Sequence, residues 1–141
     1  MELAMYKGQG GWFNKLIRFW TKPDYTHCEI IIKGTWYSSS HTDGGVRSRM
    51  ISGESGNWDI YVLDGEEYLA ELVFDMANGL KYDWFGIVFS QILPFGLQAN
   101  KRYFCSELCG HMLGIKDPQR LAPHELFNYL KDNGKIGLKL N

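Results

Sequence analysis

The residues best suited to chemistry in this chain are one cysteine and one histidine, Cys105 and His27. A thiol attacks a carbonyl carbon only as the thiolate, and a helix N-terminus or a nearby imidazolium lowers its pKa. Cys105 lies where a helix over 104–114 is predicted to begin, and His27 opens a predicted strand. A cysteine at a helix start that faces a strand histidine is the working arrangement of a thiol hydrolase. The alternative is that Cys105 is a small buried hydrophobic residue and His27 a hydrogen-bonded core residue.

The strand that carries His27 is predicted to return on itself as a hairpin. The segment 27–33, HCEIIIK, is compact and rich in β-branched residues, and 35–40, TWYSSS, is typical of the returning strand. If Lys33–Gly34 is a two-residue turn, alternation fixes which side chains share a face, and a slip of one residue would exchange the faces. The shared face then carries His27, Glu29, Ile31, Trp36, Ser38 and Ser40.

Further elements are predicted around this hairpin. Asp64 offers an N-cap with Glu67 three residues later, which is the capping-box spacing of a helix that runs towards residue 80. Proline at position 123 is suited to the first turn of a last helix. The other expected elements are helices over 12–20 and 84–93, a strand over 58–63 and an edge strand over 135–140. Together they predict an α+β fold, with an antiparallel sheet packed against helices.

Length and composition limit the class of protein. The chain has 141 residues, which indicates a single domain over 1–141, and its 45% hydrophobic and 22% charged residues exclude wholesale disorder. A net charge of −1 argues against a nucleic-acid binder. Polar residues interrupt the longest uncharged stretch, 84–100, so no membrane span is predicted. The N-terminal segment lacks the pattern of a secretory signal, so we expect a cytoplasmic protein with three reduced cysteines.

Two segments resemble the motifs of the circularly permuted NlpC-type, papain-like cysteine hydrolases. YTHCEI at 25–30 resembles the histidine motif, and YFCSEL at 103–108 resembles the cysteine motif. The histidine precedes the cysteine, as in the permuted branch. KYDWFG at 81–86 and LAPHEL at 121–126 resemble two further segments of that branch, so the resemblance covers nearly the whole chain. Small members without a signal sequence are often met in phage and prophage genomes.

The resemblance implies a permuted papain-like fold and a cysteine peptidase, or thiol protease, that needs no cofactor. Cys105 would form an acyl-enzyme with a peptide or isopeptide, His27 would act as general base, and the Cys105 backbone N–H would contribute to the oxyanion hole. Bacterial cell-wall peptides, the peptidoglycan stems, are the first candidate substrate. A phage member would act from the virion or after lysis, with other particle proteins as its partners.

The residue that orients the imidazole is the least determined member of the site. In the permuted branch a polar residue on the strand after the histidine strand has this role, often a glutamate or a histidine, and the match puts Ser38 there. The hairpin register independently puts Ser38 on the face of His27. Because a hydroxyl stabilises an imidazolium less than a carboxylate does, Ser40, His41 and Asp43 stay as alternatives.

Other chemistries remain open. The same superfamily resemblance covers thioester or lipid-ester hydrolases and acyltransferases, and a phage structural protein without activity could retain the fold. Glu29 and Glu107 are a candidate acid/base pair, although no spacing fixes their separation. A zinc site is disfavoured because no C-x-x-C pair occurs; its candidate ligands would be Cys28, Cys105, Cys109 and His111.

Overall fold

The computed structural model describes residues 1–7, 25–40, 45–50, 56–78 and 104–141. Six strands, three α-helices and a short 3-10 helix lie within these ranges. Among the described residues, no helix is both long enough and apolar enough to cross a membrane.

The strands are short and the helices are of two to four turns. The strands are β1 (Glu2–Tyr6), β2 (His27–Ile32), β3 (Thr35–Ser40), β4 (Gly45–Met50), β5 (Trp58–Leu63) and β6 (Ile136–Lys139). The helices are α1 (Glu67–Asn78), α2 (Phe104–Met112) and α3 (Pro123–Asp132), and the 3-10 helix is Pro118–Arg120. The helices predicted over 12–20 and 84–93 lie outside the described residues.

All six strands form one antiparallel sheet in the order β4–β3–β2–β1–β5–β6. The three consecutive strands β2, β3 and β4 form a meander. β1 lies between β2 and β5, so it pairs on both edges with strands that are distant in sequence. The predicted α+β class, with an antiparallel sheet packed against helices, is therefore confirmed for the described part of the chain.

The side chains of β2 alternate between two apolar clusters on opposite faces of the sheet. On one face the sheet packs against all three helices, and the buried residues include Leu3, Met5, Ile30, Ile32, Phe74, Leu108 and Leu126. On the other face a smaller cluster contains Ala4, Ile31 and Trp36. Because strand side chains alternate, Cys28 belongs to the helix-packed face and Glu29 to the face of Ile31.

The turn between β2 and β3 is the two-residue turn that the sequence predicts. Lys33 and Gly34 both have positive φ, 49° and 81°. This is the conformation of a tight two-residue hairpin turn whose twist matches the twist of the two strands that it joins. Ile32 lies opposite Thr35, and the two pairs that follow, Ile31 with Trp36 and Ile30 with Tyr37, keep this register. The predicted register is thus confirmed, and it puts Ser38 on the same face as Glu29.

The helix ends agree with the sequence less closely. The predicted N-cap of the first long helix, Asp64, is wrong: α1 begins at Glu67, and the Asp64 carboxylate instead accepts a hydrogen bond of 3.0 Å from Lys135. Helix α2 ends at Met112, two residues before the predicted end at Gly114, which adopts a positive φ of 67° in the turn that follows. Helix α3 begins at the proline at position 123, as predicted.

The β2–β3 turn gives a test of what holds the register. A side chain at Gly34 would meet no atom within 4 Å, so the cost of Gly34→Val comes from the backbone conformation alone. We expect Gly34→Val to lower the free energy of unfolding by about 1–2 kcal/mol, measured by urea denaturation. Lys33→Asn is the control and should be neutral or stabilising, because asparagine tolerates positive φ. Equal stability of Gly34→Val and the unaltered chain would contradict this account of the turn.

Candidate active site

Cys105 and His27 meet where helix α2 begins beside the start of strand β2. Cys105 is the second residue of α2 and His27 is the first residue of β2. The thiol and the imidazole lie close enough for each to shift the pKa of the other. Cys105 is 4% exposed, whereas the other two thiols, on Cys28 and Cys109, are fully buried. The structure thus brings together the two residues on which the sequence-based prediction of a thiol hydrolase depends.

The pKa values of the two groups move in opposite directions. Burial alone would lower the pKa of His27, but its interactions with Cys105 and Glu29 outweigh burial and raise it to about 10. A hydrogen bond from the Cys28 thiol lowers the pKa of Cys105, and His27 adds to this effect, so the pKa lies well below its usual value despite burial. Together the shifts favour a thiolate–imidazolium pair at neutral pH.

The start of α2 adds to the stabilisation of negative charge on the sulfur. The first N–H groups of a helix have no intrahelical acceptor, and the helix dipole favours an anion at this end. Glu107 lies in the same first turn and is partly buried, and burial raises the pKa of its carboxyl group.

Two contacts fix α2 in place and therefore fix the position of the sulfur. The fully buried Ser106 donates a hydrogen bond of 2.6 Å to the carbonyl oxygen of Leu121. Further along the helix, Gly110 lies so close to Pro118 that a Cβ at position 110 would overlap the proline ring. The helix is thus anchored at its start and near its end by the segment that precedes α3.

The segment that leads into β2 is anchored by a buried polar cluster. The Tyr25 hydroxyl donates a hydrogen bond of 3.0 Å to Asp59 and lies 2.8 Å from the Tyr61 hydroxyl. Asp59 also accepts from the ammonium groups of Lys7 and Lys139, each 2.6 Å away. Burial, followed by these hydroxyl and carboxylate neighbours, raises the pKa of Tyr25 above its ordinary value. The cluster holds the backbone two residues before the histidine that opens β2.

Ser38 contacts His27, as the hairpin register predicts. Its hydroxyl donates to the carbonyl oxygen of Cys28 at 3.4 Å and lies 3.1 Å from Nε2 of His27. With its proton directed at the carbonyl, the hydroxyl oxygen accepts from Nε2–H. This arrangement favours the tautomer protonated at Nε2 and leaves Nδ1 available to exchange a proton with Cys105. Of the alternatives, the Ser40 side chain, His41 and Asp43 lie outside the described residues.

Sequence reasoning missed the role of Glu29. Its carboxylate oxygen Oε1 lies 3.1 Å from Nε2 of His27 and 2.7 Å from an Arg47 guanidinium nitrogen, and Glu29 is only 1% exposed. The carboxylate partner of His27 lies on the histidine's own strand, two residues later. The register had put Glu29 on the correct face, so the i, i+2 spacing was the available signal. Glu29 pairs with His27 and Arg47, and this replaces the suggested pairing with Glu107.

The three thiols lie in one buried cluster and all are free. His111, the remaining candidate zinc ligand, is in the last turn of α2, where burial lowers its pKa to about 4. Within the ranges that the structure describes, no group of three or more histidine, cysteine, aspartate or glutamate side chains is arranged to hold a metal ion. The groups that meet at the described site are the Cys105 thiol, the His27 imidazole and the buried Glu29 carboxylate.

A double-mutant cycle tests the buried pair of Glu29 and Arg47. Removing one partner of a buried ion pair takes a compensating charge away from the other, so Glu29→Gln and Arg47→Met should each lower the free energy of unfolding by about 3 kcal/mol. In urea denaturation, we expect the double variant to lose less unfolding free energy than the two single variants lose together, by at least about 1 kcal/mol. The exposed pair of Asp64 and Lys135 is the control, and its coupling should be near zero. Strict additivity at Glu29 and Arg47 would contradict a coupled buried pair.

Alkylation by iodoacetamide tests the thiolate–imidazolium pair. The thiolate of Cys105 is present above its lowered pKa and is lost as the pH falls through it, while the His27 cation persists until the pH rises through about 10. Cys105 should therefore react at pH 6, far below the free-thiol value of about 8.5. Cys28, whose pKa its neighbours Cys105 and Cys109 raise, should react slowest.

His27→Ala should slow the reaction of Cys105 at pH 6 by roughly tenfold or more, since each unit of pKa changes the thiolate fraction about tenfold. His111→Ala is the matched control. At pH 6 His111 is neutral, so its removal takes away no cation and should leave the rate unchanged. Equal rates for the three cysteines would show that no thiolate is stabilised at position 105.

Comparison of the chain with models of protein families, with curated proteins and with solved structures finds no significant match in any of the three.

Proposed function

We propose that this chain is a cysteine hydrolase that cleaves an amide bond, in a peptide or an isopeptide, through an acyl-enzyme on Cys105. The observation that carries the proposal is the contact of the Cys105 thiol with the His27 imidazole at the start of α2. There the pKa of Cys105 is lowered and that of His27 is raised. Such a pair supplies both a nucleophile and a proton donor at neutral pH.

The proposed architecture is the circularly permuted, papain-like NlpC-type fold. It is supported by the chain order, in which the histidine strand β2 precedes the cysteine helix α2, and by the packing of α2 against the antiparallel sheet. The likeness of the segments 25–30 and 103–108 to the histidine and cysteine motifs supports it further.

In the acylation step, the Cys105 thiolate attacks the carbonyl carbon of the scissile amide. The oxyanion that forms accepts a hydrogen bond from the Cys105 backbone N–H, one of the N–H groups without an intrahelical acceptor. The His27 imidazolium then gives its proton to the leaving nitrogen, the C–N bond breaks, and the amine departs. A thioester on Cys105 and a neutral imidazole remain.

In the deacylation step, the neutral His27 takes a proton from water as its oxygen attacks the thioester carbon. The C–S bond then breaks, the carboxylic acid product departs, and the thiolate–imidazolium pair of Cys105 and His27 is restored. Ser38 and Glu29 hold the ring through Nε2, which leaves Nδ1 to exchange the proton with Cys105. The Glu29 carboxylate stabilises the imidazolium, and Arg47 fixes the position of that carboxylate. The hydroxyl of Ser38 thus shares the orienting role with a charged partner.

Bacterial cell-wall peptides are the first candidate substrate, in the setting of a phage or prophage protein. This choice is carried over from the resemblance to NlpC-type hydrolases. A direct test is incubation with three substrate classes: peptides that contain isopeptide links, purified peptidoglycan fragments, and acyl-thioesters. The trapped acyl group on Cys105 is identified by mass spectrometry of the intact protein. Turnover of amides supports the proposal, preference for thioesters favours an acyltransferase, and an unreactive Cys105 favours a structural protein.

Turnover of the substrate found in this way separates the roles of the site residues. Cys105→Ala should abolish turnover, whereas Cys109→Ala, its control on the same helix, should retain it. Ser38→Ala removes one neutral hydrogen bond worth roughly 0.5–1.5 kcal/mol, so the loss should be about tenfold or less. Ser39→Ala is its control, because Ser39 is also buried but points to the opposite face.

Glu29→Gln removes a charged hydrogen bond, worth roughly 1.5–3 kcal/mol, and should reduce turnover more than Ser38→Ala does. Assays are made at a temperature at which circular dichroism shows every variant folded. A loss for Ser38→Ala larger than that for Glu29→Gln would contradict the assignment of the carboxylate as the stronger partner of His27.

A further inference from the structure

Helix α1 exposes a stripe of large apolar side chains. One side of the helix packs against the sheet, with Ala70, Phe74 and Ala77 in the core. The other side carries what we call the apolar stripe, whose members are between 44% and 74% exposed. The members of the stripe are Tyr68, Leu69, Leu72 and Met76. Because a surface helix of a folded domain normally carries polar residues on its outer side, the stripe is a candidate interaction surface.

The spacing of the apolar stripe follows the helical repeat. Tyr68, Leu72 and Met76 are each four residues apart, so their side chains follow one another along one line of the helix. Leu69 precedes Leu72 by three residues and Met76 by seven, and it widens this line on one side. Ridges with these spacings are the ones by which one helix packs against another.

An acidic row runs along α1 beside the apolar stripe. Glu67, Glu71 and Asp75 are also four residues apart, and the helix contains no lysine or arginine. Glu67 is paired with the N-terminal ammonium group of Met1 at 3.0 Å. Glu71 accepts a hydrogen bond of 3.5 Å from the hydroxyl of Tyr37, which carries no charge to balance it. The row therefore adds net negative charge along one border of the stripe.

We propose that the apolar stripe of α1 is the docking surface for an amphipathic helix of a partner protein, one that carries lysine or arginine beside its apolar face. Burial of the stripe would supply the affinity, and the acidic row would pair with the partner's basic residues and select the partner. This interaction goes beyond the proposed hydrolase function. It uses no residue of the site around Cys105 and His27.

The position of the acidic row disfavours a second copy of this chain as the occupant. In an antiparallel helix pair related by a two-fold axis, the equivalent flanking rows of the two helices lie on the same side of the contact. Glu71 and Asp75 of one copy would then lie next to the acidic row of the other copy, and such like-charge neighbours are unfavourable. The same charge disfavours an anionic membrane surface, which attracts helices with basic residues beside the apolar face.

The test uses the full chain and two synthetic helical peptides. Both peptides carry leucine at positions i, i+3, i+4 and i+7, and the flanking positions are lysine in one peptide and glutamate in the other. Fluorescence anisotropy of the labelled peptides measures binding at physiological ionic strength. We expect the lysine peptide to bind about tenfold or more tightly than the glutamate peptide, because only its charge is complementary to the acidic row.

Removal of apolar side chains locates the contact. Leu72→Ala with Met76→Ala should weaken binding of the lysine peptide by about tenfold or more, and alanine keeps the helix propensity of α1. Tyr129→Ala with Leu138→Ala is the matched control. It removes two apolar side chains that are exposed on α3 and β6, and it should leave binding unchanged.

A charge reversal tests the selection of the partner. Asp75→Lys should weaken binding of the lysine peptide and strengthen binding of the glutamate peptide, whereas Asp132→Lys, the same change at an exposed position of α3, should leave the preference unchanged. Circular dichroism verifies that every variant is folded.

Equal binding of the two peptides, or unchanged binding after Leu72→Ala with Met76→Ala, would overturn the proposal. A dimer in analytical ultracentrifugation that these two substitutions dissociate would overturn it in favour of a second copy. Binding to phosphatidylcholine–phosphatidylglycerol vesicles that the same substitutions abolish would overturn it in favour of a membrane. None of these readouts requires amide turnover, so the docking proposal and the hydrolase proposal stand or fail separately.

Discussion

Everything at this site depends on the alternation of side chains along strand β2. Within six residues the strand contributes Cys28, Ile30 and Ile32 to the helix-packed core, while His27 and Glu29 belong to the other face. Because β2 is bonded on both edges, to β1 and to β3, its register cannot shift without exchanging these two sets. The hydrophobic core therefore fixes the orientation of the imidazole and its carboxylate. A change that destabilises the sheet would also displace these two groups.

Charge at the site follows a simple alternating order. The Cys105 thiolate contacts the His27 cation, which contacts the Glu29 carboxylate, which in turn contacts the Arg47 guanidinium. Each buried charge thus has a neighbour of opposite sign, which offsets the cost of removing it from water. The order also explains why a single hydroxyl is a sufficient companion on the neighbouring strand: Ser38 directs Nε2–H, and Glu29 supplies the charge.

The elements that the sequence predicted well are those governed by local rules. The β2–β3 hairpin follows from a β-branched run and the Lys33–Gly34 turn, and its register follows from the turn length. The N-cap at Asp64 was mispredicted because the Asp64 carboxylate accepts a hydrogen bond from Lys135, which is distant in sequence. The role of Glu29 depends on Arg47, which the pairing of β4 with β3 brings close to it. No local sequence pattern predicts that pairing.

The meeting of Cys105 with His27 was predicted from a motif resemblance, not from a physical rule on spacing. Periodicity places each residue on its own element, and only tertiary packing places one element against the other. The same applies to the influence of Cys28 on the pKa of Cys105: the sequence singled out both thiols, but it considered them as metal ligands. Contacts between distant segments are the part of the site that the sequence alone could not supply.

The central position of β1 has a consequence for the stage at which the pKa of Cys105 is lowered. β1 pairs with β2 and β5, which are distant from it in sequence, and α2 packs on the resulting sheet, whereas the β2–β3–β4 meander requires only local closure. The groups that lower the pKa of Cys105 lie on β2, in the opposite half of the chain. A newly synthesised or partly folded chain thus carries an ordinary, mostly protonated thiol. The lowered pKa of Cys105 therefore arises only when the two halves of the chain have packed against each other.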